Sequence, residues 1–248
     1  MRIKYKKVLR TVLIVLPILI IIVAVYFFQF TRSYMKTVPY RPSFEKLADN
    51  IYVNKGNSLS QNEILSLYEQ AKERDSAFYG ELQSLDDIII IICDDPKISS
   101  KIGEKDTITT YGRKTKSYIC ISNEYFNIDI LSHELTHAEL HTRLTKDALE
   151  KLPVWFNEGL ATQNDYREKY SEEEWVKQTN NGEKALPLED MDTSSEFYAG
   201  TYEEKQFRYM NAKHEVAEWM AAHGQEGLID LIERLNTGEE FDSIYNAT

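Results

Sequence analysis

The chain has 248 residues, 42% of them hydrophobic and 28% charged, with 10 Gly and 6 Pro. That composition excludes long disordered or fibrous stretches and allows one membrane segment plus one globular domain with a real core. The net charge is -11, but residues 1–10 carry Arg2, Lys4, Lys6, Lys7 and Arg10 and no acid, which leaves 24 basic against 40 acidic residues, or -16, in the remainder; so acidic a domain repels phosphate backbones and excludes a nucleic-acid partner.

In chain order, residues 1–10 read as a basic cytoplasmic tail. Residues 11–31, TVLIVLPILIIIVAVYFFQFT, are free of charge and long enough to cross a bilayer as one helix, with Pro17 tolerated inside it. The run ends in bulky Tyr26, Phe27, Phe28 and Phe30 rather than in the small residues of a cleavage site, so it reads as an uncleaved anchor. The basic residues before it place the N-terminus inside and residues 45–248 on the extracytoplasmic side of the cell membrane. Residues 32–44, with Pro39 and Pro42, read as a short polar connector holding that domain off the bilayer.

Ser60 with Glu63 forms a helix-start signature, and Ile64, Leu65, Tyr68 and Ala71 continue at helical spacing. Asp87–Cys93 and Lys116–Ser122 read as buried strands, joined by a polar hairpin or loop. Cys93 and Cys120 fall in these strands and are either an interstrand disulfide or two buried thiols. Asn127 caps a helix running to about Arg143, and a second helix starts near Pro153 and carries WFNEGLATQ. Residues 183–195 read as loop; helices over about 203–222 and 225–236 are separated by Gly224, and a short piece follows Gly238. The fold class expected is α+β, with a small mixed or antiparallel sheet and a helical C-terminal part.

The stretch His133, Glu134, Leu135, Thr136, His137 lies in the middle of the 127–143 helix. Residues four apart share a helix face, so both imidazoles can reach one metal ion, with Glu134 beside them to take a proton from a bound water. Ile130, Leu131, Leu135, Ala138 and Leu140 surround the motif and make the histidine face partly buried. For the third ligand, His141 lies about 12 Å along the axis from His133, too far for one tetrahedral ion. A metzincin pattern would need a histidine at Arg143 and a glycine at Leu140, and has neither. Glu158, a carboxylate among Trp155, Phe156, Leu160 and Ala161, is the better candidate.

HELTH followed after 20 intervening residues by the glutamate of WFNEGLA resembles the paired motifs of the gluzincin zinc metallopeptidases. The resemblance covers roughly residues 85 to 245 and implies a zincin-like domain. It implies Zn2+ held by His133, His137 and Glu158, Glu134 as general base, and peptide or protein substrates. It also implies a tyrosine on a later helix that stabilises the reaction intermediate, for which YMNAKHEV offers Tyr209. Ala212 departs from the small hydroxyl residue expected there, and Tyr198 and Tyr202 are rivals. Thr162 or Asp165 would support a ligating histidine, and Lys116–Ser122 would be the edge strand along which an extended peptide lies. A non-catalytic, membrane-anchored zinc sensor is the alternative; it should lack Glu134 or a ligand, and this chain has all four residues.

Overall fold

The structure, a computed structural model, describes residues 12–22, 34–95, 107–110 and 116–247. It is α+β, with a five-stranded mixed sheet at the N-terminal side and helices elsewhere. The strands are β1 (Phe44–Lys46), β2 (Ile51–Asn54), β3 (Ile88–Cys93), β4 (Thr107–Thr110) and β5 (Ser117–Ser122), in the order β1-β2-β3-β5-β4. β3 runs parallel to both β2 and β5, while β1 and β4 are antiparallel to their neighbours.

A central parallel strand is covered on both faces and so needs a continuous apolar run instead of an alternating one, which is what Ile88 to Cys93 supplies. Ile88, Ile90 and Ile92 join the core under helices α1 (Gln61–Tyr79) and α2 (Ile128–Arg143). Ile89, Ile91 and Cys93 face the other way, with Phe44, Tyr118 and Cys120. Tyr34, Met35 and Val38 cover that second face, so the connector expected at 32–44 is in part built into the fold. The two cysteines lie on this face without a disulfide between them, Cys120 opposite Ile91 and Cys93 opposite Ser122, and burial pushes the Cys120 thiol up.

β5 corrects a second expectation. It is not an edge strand: β3 pairs along one side and β4 along the other. Ser117 to Ile121 are buried, and a segment apolar on both faces gains most from pairing on both sides. Among the described residues β4 is the edge beyond it.

Both expected helix starts carry their caps, with Ser60 Oγ accepting from the Glu63 amide and Asn127 Oδ1 from the Ile130 amide. After α2 come α3 (Lys146–Lys151), α4 (Val154–Gln163, entered from Pro153), α5 (Glu172–Thr179), α6 (Ser194–Phe197), α7 (Tyr202–Asn236) and α8 (Phe241–Tyr245). The expected break in α7 falls at Gly224, whose φ of 63° is non-helical. The span expected at 11–31 is helical over residues 12–22, where its apolar side chains are exposed. Residues 23–33 lie outside the described residues, and among the described residues no helix is long and apolar enough to cross a membrane.

α2 is shared by two cores. Ile130, Leu131, Leu135 and Ala138 pack on the sheet, and Leu140 belongs to a second core with Phe156, Leu160, Trp219 and Leu231. The 3.6-residue period then turns His133 and His137 towards α4.

Candidate metal centre

Three helices are knitted together directly behind these histidines. Asp75 on α1 accepts from Thr136 Oγ1 on α2 and from Asn164 Nδ2 at the end of α4, both at 2.6 Å, and burial holds its carboxyl well above the usual carboxylate range. Glu139, 1% exposed, accepts from the Gln83 and Ser84 amides and from Arg143, which ties α2 to the loop after α1. Breaking the buried Glu139–Arg143 pair by removing one partner is costly, about 3–5 kcal/mol. The orientation of α2 and α4 is therefore well determined.

Between those helices His133 Nε2 lies 3.1 Å from His137 Nε2, and Glu158 Oε2 lies 3.5 and 3.4 Å from them. The three donors converge within 4.8 Å and are buried, and the group could hold a metal ion. Glu158 Oε2 is buried without a hydrogen-bond partner, an arrangement whose cost a bound cation removes. Burial alone would lower His137 and raise Glu158; their mutual attraction wins, with His137 pushed up to about 9 and Glu158 held well below its ordinary range. Metal uptake would displace that proton.

The ring nitrogen of His137 remote from this point, Nδ1, is 2.9 Å from Asn157 Oδ1, and a donated Nδ1–H leaves the Nε2 lone pair for a ligand. Asn157 thus holds the place expected of Thr162 or Asp165. Thr162 donates to the Glu158 carbonyl in its own helix. Asp165 lies beyond the end of α4, so it no longer follows the helical face and pairs with Arg167 instead. Glu158 Oε1 accepts from Tyr198 Oη at 2.5 Å.

Glu134 is 9% exposed and lines a cleft of about 410 Å³ together with His133, Tyr198, Tyr202 and Tyr209. All three candidate tyrosines thus border one space. The Tyr209 ring is 6.2 Å from that of His133, Tyr198 is engaged with Glu158, and Tyr202 is exposed and accepts from Lys169.

Gly159, next to Glu158, stands where a side chain has no room. A Cβ there would stand 2.4 Å from the Ala212 carbonyl oxygen and 2.7 Å from Val216 Cγ2, because α4 and α7 cross at that point. Ala212 sits fully buried at this crossing. Gly159→Ala is expected to force the helices apart, costing about 1–3 kcal/mol as overpacking does, and to weaken metal binding by shifting Glu158. Chemical denaturation and metal titration check this; an unchanged midpoint with unchanged affinity would show that the crossing yields without moving Glu158.

No protein-family model matches the chain, and no curated protein does. The functional argument accordingly rests on the residues and their arrangement.

Proposed function

We propose that the chain is a zinc-dependent peptidase of the gluzincin type, anchored by residues 11–31 with its catalytic domain outside the membrane. The observation that carries this is the convergence of His133, His137 and Glu158 on one point, with Glu134 beside it on a cleft. Zinc bound to nitrogen and oxygen at 2.0–2.1 Å in a tetrahedron requires donors about 3.3 Å apart; the separations here are 3.1, 3.4 and 3.5 Å. Three protein donors leave a coordination position open, as catalytic sites do. The exposed apolar side chains of residues 12–22 and the basic residues ahead of them support the anchor.

Zinc in this site would polarise the scissile carbonyl and acidify the attacking water. Glu134 accepts the proton of that water and passes it to the leaving amine, and its low exposure keeps competing solvent away. Tyr209, in the cleft wall, donates to the oxygen on which negative charge develops. Tyr198 holds the Glu158 carboxylate in place through Oε1, which leaves Oε2 aimed at the histidines.

The test is hydrolysis of unstructured peptides by the detergent-solubilised full-length chain. Turnover should be lost on treatment with a chelator and return with added zinc at close to one ion per chain. Turnover that survives complete removal of metal overturns the reading.

A further inference from the structure

The cleft carries a charge pattern opposite to that of the chain. Three cations, Arg167, Lys169 and Lys205, line it, and Glu134 is the one carboxylate among the described residues that line it, in a chain of net charge -11. Arg167 is neutralised by Asp165. The other two have no such carboxylate partner among the described residues: Lys169 donates to the Tyr202 hydroxyl at 2.9 Å and lies over the rings of Tyr170 and Tyr202 at 4.7 and 5.3 Å. Lys205, half-buried on the first turns of α7, has no ion pair among the described residues.

We propose that Lys169 and Lys205 form an anion subsite that selects substrates bearing a carboxylate close to the scissile bond. The proposal rests on the peptidase reading of the adjoining metal centre. The negative charges of Glu134 and Glu158 are offset when a dication is bound, so the two ammonium groups set the sign of the field in the cleft. Lys169 is held by two aromatic rings and a hydroxyl before any substrate arrives, so little side-chain entropy remains to be lost on pairing. A carboxylate entering there exchanges water for charge-assisted hydrogen bonds in a concave, partly desolvated site. An internal Asp or Glu and a free C-terminus both present that chemistry.

The experiment measures peptide affinity by fluorescence anisotropy on the zinc-loaded full-length chain carrying Glu134→Gln, so that peptides are bound and not consumed. One peptide scaffold is presented neutral and amidated, with a single Asp or Glu at successive positions, or with a free C-terminus. A carboxylate-bearing peptide should bind at least about tenfold more tightly than the neutral one, less so at high salt, as expected for a charge-assisted contact. The arm that shows the gain identifies its source. Lys169→Gln combined with Lys205→Gln should reduce the gain to under about threefold, since both charged donors are gone, with zinc content unchanged. Equal affinity for charged and neutral peptides, no binding of either, or a preference that survives the double substitution overturns the subsite. Hydrolysis by the unsubstituted chain is read separately. A preference without hydrolysis overturns the peptidase reading alone, and hydrolysis without a preference overturns the subsite alone.

Discussion

Glu134→Gln should leave a folded, zinc-loaded protein whose peptide hydrolysis is lower by about 10²-fold to 10⁴-fold, the range for a missing general base. Glutamine keeps the size of the side chain and both of its polar atoms, so the cleft wall is preserved. The three converging donors do not include Glu134, so the metal has no reason to leave. The loss should appear in kcat far more than in KM, because the interaction removed belongs to the reacting state. Metal analysis and a peptide assay on the same preparation decide the matter: a Glu134→Gln protein as active as the unsubstituted one sinks the mechanism, and an unsubstituted chain inactive on every peptide favours a zinc-holding sensor.

Glu158→Gln is expected to lose both metal and activity, by more than the roughly 10- to 100-fold of an outer partner, since it removes a charged ligand outright. An amide oxygen can still accept from Tyr198, so the local hydrogen bond that holds the side chain survives. What changes is the atom at 3.4–3.5 Å from the two imidazoles, where an NH₂ group with no lone pair to offer could replace the carboxylate oxygen. His133→Ala or His137→Ala should behave alike. A thermal melt with and without zinc reads the same loss independently: the unsubstituted chain should be stabilised by added zinc as any native-state ligand stabilises, and Glu158→Gln should not. Full zinc occupancy in Glu158→Gln and in both histidine variants would remove the site assignment.

Much of the scaffold was legible because its signals are local. The run Ile88–Cys93 announces a strand covered on both faces, Asn127 and Pro153 mark the starts of the two helices that bring the donors together, and Gly224 marks the break in α7. The mixed alternative for the sheet is the one realised. The pairing of β5 was not legible, because whether a strand lies inside a sheet or at its edge depends on which distant segment pairs with it, here Thr107–Thr110. β1 and β2 are three and four residues long and owe their existence to neighbours, so they left no pattern of their own.

At the site, His133, His137 and Glu158 could be brought together on paper because helical spacing and an apolar setting are properties of the chain. Asn157 could have been suspected, since it adjoins Glu158 and a ligating imidazole needs a partner for its second nitrogen. The basic cleft could not: Arg167 and Lys169 lie around a short turn and Lys205 on α7, and only tertiary folding gathers them.

The packing of Tyr34, Met35 and Val38 on the second face of the sheet has a mechanical consequence. If residues 11–31 anchor the chain as proposed, two residues, Arg32 and Ser33, separate them from Tyr34 in the sequence, about 10 Å at full extension. A domain so held would stay at the bilayer surface, and its substrates would have to come there.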